Sequence, residues 1–365
     1  MASIRCRPAR IPQEAHACVS FRYHAEGGAN VVFRVVEYKV GSQDEPPFVF
    51  VGPRDHLYHH KGFLFKVLRV SKGLPKTLTA EQVKSDFDHE IEPLFDTRGT
   101  PNFRHFLLDL ELVLLDDEVI DWLNAEMNRH TNRPAIPIPY RFKGLLMDDM
   151  SVDPHAKPDE HTLTIELKPK WLAQSPNAPQ GALRCRTCAL QALRNSDPGK
   201  TGRDDYFCPL YLSPSQRSQR PYAAKVIRTY LSTKTHQISD QIGHRAVLEN
   251  LVSALTRDSF GLLRYLKQKQ IELDPQGVLG EEVDMHNLRL AMTLRDCSLF
   301  LRCTYSPTSP ATNYRVDMKL ADLDLKSPAK VDDWRSKEQE LITEDWYFDK
   351  GNVGGIGDCG LKICD

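Results

Sequence analysis

The segment NYRVDMKLADLDLK (313–326) sets Val316, Met318 and Leu320 against Arg315, Asp317 and Lys319, the period of two that a strand with one buried face requires. Carried forward, that parity places Asp322 and Asp324 on the apolar side. A carboxylate there costs free energy unless a cation or hydrogen-bond donors reach it. Mg²⁺ held by one or two carboxylates together with nucleotide phosphates is one solution. A strand that stops before Asp322 and leaves it in a surface turn is the other. Just upstream, DCSLFLRCTYS reads as a first strand, joined to this one by SPTSPAT, so the pair forms a hairpin.

The same parity applies to HTLTIELKPK (161–170). Glu166, Lys168 and Lys170 share one face, and Leu163, Ile165 and Leu167 the other. Such a row is either a solvated outer face or a charged floor for an anionic ligand. Asp296, in LRDCS, stands where a helix passes into a strand, a position suited to a catalytic carboxylate and equally to a cap or turn residue. Near the start of the chain, YHAEGGANVVFRVV feeds a Gly-Gly turn into a strand. That arrangement is a hairpin turn, or a place where backbone N–H groups approach phosphate oxygens with no Cβ in the way. It is neither a P-loop nor a dinucleotide-binding fingerprint.

The remaining elements follow from local texture. Between Arg22 and Val70 the chain reads as β-structure, with VVFRVV (31–36) and FLFKVLRV (63–70) as strands. DDEVIDWLNAEMNRH (116–130) reads as a helix whose acidic start suits the positive end of the helix dipole. The Pro-rich NRPAIPIPYR and the strand-to-turn segment GLLMDDMSVDP place a lobe boundary near residue 150. Residues 237–268 read as mostly helical, with Val247, Leu248, Leu251, Val252 and Leu255 on one stripe. The Gly-rich tail from about residue 350 is expected to be flexible.

Charge matters by its distribution. With 48 Lys+Arg against 49 Asp+Glu, the chain has no overall field for coating nucleic acid or an anionic membrane. Between Glu166 and Arg203, however, seven basic residues meet two acidic ones, and between Pro214 and Glu249 six meet two. Aromatic residues are sparse there, which argues against a nucleic-acid surface. Acidic residues crowd the stretch from Asp86 to Glu126 instead. The most apolar stretch, Phe106 to Leu115, is far short of the ~20 residues that span a bilayer. Nine scattered cysteines and an N-terminus without a signal-like apolar core point to a reducing compartment, the nucleus or cytoplasm. Cys185 and Cys188 form a CxxC pair with Cys208 further on; one CxxC without a second pair is weak evidence for zinc, and Cys208 with one of several histidines could complete a site.

Taken in order, EGGAN, ELKPK, RCRTCALQ, RDCS and DLDLK resemble the inositol-pentakisphosphate 2-kinase family, most closely its fungal members, over about Tyr23 to Trp334. The resemblance implies an α+β, two-lobed kinase-like fold: an antiparallel-sheet N-lobe (1–148), a mixed α/β C-lobe (149–365) and the site in the cleft. It implies ATP and Mg²⁺, inositol pentakisphosphate as acceptor and its 2-hydroxyl as the reacting group; apart from the resemblance, a monomer with no membrane and no direct nucleic-acid partner is expected. The Gly-rich loop then falls on Gly27, Gly28 and Asn30, the cation on ATP phosphates on Arg69, and the hinge on Leu146–Met150, with Asp148 and Met150 at the adenine. Glu166 and Lys168 take nucleotide-contacting positions. Arg133, Lys170, Arg194, Lys326, Lys330 and Trp334 take substrate positions, Asp296 is the catalytic carboxylate, and Asp322 with Asp324 ligates the metal. The Cys/His zinc site of plant members has no counterpart between 240 and 290, and the family's paired asparagines near 258–262 are missing. Two alternatives remain open: a kinase for another small polyanionic acceptor, and a non-catalytic inositol-phosphate- or RNA-binding scaffold.

Overall fold

VVFRVV lies in a strand, Asn30–Glu37, in which Val31, Phe33 and Val35 are at most 1% exposed while the alternate residues are only partly covered. In the computed structural model this is one of seven strands of a closed barrel. The structure describes residues 4–39, 45–75, 77–97, 102–130, 136–140, 142–197, 206–214, 217–235, 241–257, 261–348 and 359. Arg133, Lys200 and Arg203 lie outside them. The chain is mixed α+β and divides into two compact units, Met1–Leu94 with Leu107–Pro154, and Phe95–Phe106 with His155–Asp365.

The barrel belongs to the first unit. Its strands are β1 (Ile4–Pro8), β2 (Val19–Glu26), β3 (Asn30–Glu37), β4 (Phe48–Val51), β5 (Lys66–Ser71), β6 (Glu111–Leu115) and β7 (Lys143–Asp148), in the order β1-β4-β2-β3-β5-β7-β6. Every pairing is antiparallel except the closure, where β1 runs parallel to β6 with Cys6 opposite Leu115. The expected antiparallel sheet is corrected in that respect: closure leaves no edge strand exposed. Phe21, Phe33, Phe48, Phe50, Leu68 and Leu146 fill the interior with the apolar face of the helix Asp117–His130, whose Ile120, Leu123 and Met127 are fully buried. Each such side chain contributes ~1.5–3 kcal/mol when buried.

In the second unit, β8 (His161–Leu167), β9 (Ser298–Tyr305) and β10 (Tyr314–Ala321) form an antiparallel sheet in the order β10-β9-β8. The β9–β10 hairpin has the expected register, Tyr305 opposite Tyr314 and Ser298 opposite Ala321. The helix Gln241–Arg257 packs on β9 and β10 and buries Val247, Leu248, Leu251, Val252 and Leu255. The helices Leu262–Leu273 and Met285–Leu294 pack on each other, and the latter delivers the chain into β9. Among the described residues no helix is long and apolar enough to cross a membrane.

Candidate active site

Asp296 sits in the short link between the helix Met285–Leu294 and β9, and three lysines converge on it. Lys170 Nζ donates to Oδ1 at 2.8 Å and Lys326 Nζ to Oδ2 at 2.7 Å. Lys168 Nζ donates to the Asp296 carbonyl oxygen at 2.8 Å and to Asp322 Oδ2 at 2.9 Å. Burial alone would raise the Asp296 pKa, but the hydrogen bonds and charges of Lys170 and Lys326 outweigh it and hold the carboxyl well below the usual carboxylate range. Burial opposes the charge on Lys168 too, yet Asp322, Asp296 and Glu166 leave its pKa raised.

The backbone that presents these groups is fixed by buried polar side chains. Gln270, 1% exposed, donates to the Lys170 and Leu294 carbonyls at 2.9 and 3.3 Å and accepts from Leu172 N at 2.9 Å. It ties the end of the Lys170 segment to the end of the helix that leads into Asp296. Lys326 is held on both sides: its N–H donates to Thr293 Oγ1 at 3.1 Å and its carbonyl accepts from Arg289 Nε at 2.6 Å. Lys170 and Asp322 adopt left-handed conformations, φ 53° and 54°, which few non-glycine residues occupy, aspartate more readily than lysine.

That conformation overturns the parity drawn from NYRVDMKLADLDLK. β10 ends at Ala321, the left-handed turn at Asp322 shifts the alternation by one, and Leu323 and Leu325 go inward at 6% and 4% exposure. Asp322 is therefore exposed and Asp324 half-buried, with the Asp324 carbonyl accepting from Thr293 Oγ1 at 3.4 Å. In the ELKPK segment β8 stops at Leu167, and Lys168 and Lys170 nevertheless reach the same cluster. Glu166, an exposed residue, accepts from Ser298 Oγ at 2.6 Å.

These residues open into a cavity of about 1160 Å³ within the second unit, lined among the described residues by nine basic and five acidic side chains. Lys168, Lys170, Arg194, Lys326, Lys330 and Trp334, all drawn from the sequence, line it together with Asp296. Arg186, Arg295, Lys234 and Lys337 also line it and had not been singled out as site residues. Trp171, 5% exposed, is flanked by the guanidiniums of Arg295 and Arg186, whose Cζ atoms lie 3.6 and 4.6 Å from its ring centroid. Among the described residues of the basic run 214–249 only Lys234 reaches the cavity; Arg228 is engaged with Glu249 at 2.6 Å.

In the first unit, Gly27 and Gly28 connect β2 and β3, and Gly27 N donates to the Asn30 carbonyl at 2.9 Å. Lys72 anchors the turn, donating to the Gly27 carbonyl at 2.9 Å and pairing with Glu26 at 3.2 Å. Neither glycine has a positive φ, and an added Cβ would meet nothing within 4 Å at either position. The fold itself does not demand glycine there. Arg69 is buried on β5 opposite Val32 and Leu145. Asp148 closes β7 and accepts from Lys66 Nζ at 2.7 Å, and Met150 is 5% exposed in the turn that follows.

Cys185, Cys188 and Cys208 come together, and a fourth cysteine joins them. The sulfurs of these three and of Cys359 lie within 4.8 Å of one another, all buried. Cys359 is the one described residue of the tail; the rest of the tail from about residue 350 lies outside the described residues. In the sequence, an incomplete CxxC set lacking a fourth ligand was the signal that pointed to it.

Residues 23–340 match the family described as inositol-pentakisphosphate 2-kinase. A curated protein of that name from Yarrowia lipolytica is 32% identical over 189 residues, 52% of this chain and 55% of that protein. Another from Debaryomyces hansenii is 21% identical over 383 aligned positions, 87% of this chain and 90% of that protein. The chain thus spans about half the length of the first relative and nine tenths of the second.

Proposed function

The chain belongs to the inositol-pentakisphosphate 2-kinase family, and from that premise we propose that it transfers the γ-phosphoryl group of ATP to the 2-hydroxyl of inositol 1,3,4,5,6-pentakisphosphate, giving the hexakisphosphate. One observation carries the reading: a cavity with a cationic excess among its described residues, nine basic side chains against five acidic, whose wall holds the Asp296 carboxylate paired with two lysines while a third contacts its carbonyl. Five phosphates bring a charge on the order of −8 to −10. An acceptor of that kind needs more cations than a neutral sugar would, and the cavity supplies them.

The roles follow from position. Lys170, Arg194, Lys326 and Lys330 bind acceptor phosphates, and Trp334, packed against the Trp171 cluster, gives the wall a rigid apolar face. Asp296 accepts the proton of the attacking hydroxyl. In the free protein its two oxygens are committed to Lys170 and Lys326, so it is ionised but weakly basic. Acceptor phosphates compete for the same two ammonium groups, and each lysine that turns to phosphate frees a carboxylate oxygen. Lys168, bridging Asp296 and Asp322, offsets charge developing on the transferred group, a reaction governed by positioning and neutralisation.

Asp322 and Asp324 are the carboxylates that would hold Mg²⁺. The turn that brings Asp322 out of the core leaves it 46% exposed, with oxygen-only donors suited to a hard cation. When bound, the ion would neutralise charge on the nucleotide phosphates. The finer two-lobed kinase-like reading rests on family membership. It assigns Gly27, Gly28, Asn30 and Arg69 to ATP phosphates, Asp148 and Met150 to adenine, and Glu166 to ribose. The glycine pair fits, since neither φ nor steric crowding in the fold accounts for it.

The test is purified protein with Mg-ATP and inositol pentakisphosphate, with hexakisphosphate followed by anion-exchange chromatography. The proposal requires product from the wild type and a loss of roughly 10²–10⁴-fold in Asp296→Asn. No product from the pentakisphosphate, with turnover of another polyanionic acceptor, removes it. Full activity in Asp296→Asn removes the assigned base.

A further inference from the structure

We propose that Trp171 and Arg295 are positioning residues for the reaction: their buried stack sets the segment that carries Lys170 against the one that carries Asp296. The proposal rests on the kinase reading of Asp296. Each member of the stack is the chain neighbour of a site residue, Trp171 of Lys170 and Arg295 of Asp296. Lys170 Nζ meets Asp296 Oδ1 at 2.8 Å, and one residue along, Arg295 Cζ lies 3.6 Å from the centroid of the Trp171 ring. The same two segments therefore touch twice, once in the cavity wall and once in the core. Two contacts fix both the separation of the segments and their relative rotation, where one would leave the rotation free.

The stack is held from behind by the helix Leu262–Leu273 and its end. Arg295, 4% exposed, donates through Nη1 to Asp274 and through Nη2 to the Gln270 carbonyl at 3.2 Å. The Gln270 side chain accepts from Leu172 N and donates to the Lys170 and Leu294 carbonyls. Both segments are thus gripped at the residues next to the stack. Trp171 also packs with Val278, Leu288 and Met292.

Stability alone does not account for a guanidinium here. Burial works against its charge and pulls its pKa down to about 10 in spite of Asp274. Among the described residues its Nε has no hydrogen-bond partner, a further cost in a buried group. A buried ion pair gains little over a well-packed apolar pair of similar volume. What the apolar pair lacks is direction: a planar cation against an indole, with a fork that reaches Asp274 and Gln270 at once, permits few arrangements. The Lys170 side chain can then leave Asp296 for a phosphate while its segment stays in place.

Steady-state kinetics with Mg-ATP and inositol pentakisphosphate, together with calorimetric binding of inositol hexakisphosphate, test this on the full chain. Trp171→Leu stays apolar and removes the ring. Its kcat per folded molecule should fall about 10- to 100-fold, the scale on which ~1 Å of misplacement acts. Its Kd for the hexakisphosphate should stay close to that of the wild type, since the phosphate-binding side chains remain. Trp171→Phe, which keeps an aromatic face, should recover most of the turnover. Arg295→Lys keeps a cation for Asp274 without the planar fork and should lower kcat in the same way, so one variant decides if the other fails to fold. A wild type that makes no hexakisphosphate removes the kinase reading, and the proposal with it. With an active wild type, full kcat in a folded Trp171→Leu or Arg295→Lys, kcat and affinity lost together, or no recovery in Trp171→Phe overturns the proposal alone and leaves the stack as a stabilising contact.

Discussion

Lys170 donates to Asp296 from a left-handed backbone conformation, φ 53°, that Gln270 fixes by hydrogen-bonding the Lys170 carbonyl. The backbone thus sets the Lys170 side chain beside Asp296, while that side chain, 38% exposed, keeps the freedom to turn to a phosphate. If Lys170 must release Asp296 to bind a phosphate, binding and turnover are coupled. Lys170→Met is expected to raise KM and to lower kcat about 10- to 100-fold, the loss of one charge-assisted contact in each state. Lys170→Arg should recover affinity more than turnover, because the fork is held differently from an ammonium. Steady-state kinetics with the pentakisphosphate decides the matter. A rise in KM with kcat unchanged would leave Lys170 as a binding residue alone.

Asp322 shares Lys168 with the Asp296 carbonyl, and its side chain is half exposed. Asp322→Asn keeps the size of the side chain and removes its charge. The magnesium concentration for half-maximal rate should rise by at least an order of magnitude, with a smaller rise for Asp324→Asn. A magnesium titration of initial rates at fixed ATP measures both. An unchanged midpoint in Asp322→Asn would reassign the carboxylate to holding Lys168.

Local periodicity made part of this molecule readable from sequence. The β9–β10 hairpin, the helix Asp117–His130 and the buried stripe of Gln241–Arg257 all follow from short-range alternation, and all form. What depends on distant pairing did not show. β1, IRCRP, has only two core residues, Ile4 and Cys6, and finds its place by pairing with β6 more than a hundred residues later. A single left-handed residue reversed the parity at Asp322, since aspartate tolerates that conformation without announcing it. The convergence of Lys168, Lys170, Asp296 and Lys326 was legible only through motif resemblance, and Gln270 carried no motif at all.

Arg186 and Glu338 form a buried ion pair at 2.7 Å, with side chains 7% and 0% exposed. Glu338 also accepts from Ser175 Oγ at 2.8 Å and Tyr347 OH at 2.6 Å. Removing the carboxylate leaves a buried guanidinium and two hydroxyls without it, a loss of about 3–5 kcal/mol. Glu338→Ala should therefore lower the Tm by roughly 10 °C. Pairing it with Arg186→Met should recover part of the loss, since the stranded charge is gone. Thermal melts of the two single variants and the double variant give the coupling; additive losses would show that the pair acts as two independent contacts.

Glu14 gives the first unit an acid-sensitive anchor. Arg7 reaches both of its oxygens, at 2.6 and 3.2 Å, and Arg10 N–H donates at 2.7 Å. The hydrogen bond from Arg7 dominates, burial opposes it, and the carboxyl is pulled down to about 2. A carboxyl depressed on folding stabilises above its unfolded pKa and loses that contribution as pH falls through the folded value. The window here is from about 4.5 down to 2, and the contribution at neutral pH is at most about 3 kcal/mol. Because Arg7 lies on β1, hydrogen exchange of β1 and β4 in the full chain is the local readout. Wild-type protection should fall between pH 4.5 and 3 relative to Glu14→Gln, with the two converging at the acid end. If Glu14→Gln keeps the same pH dependence, another carboxylate controls the barrel's acid response.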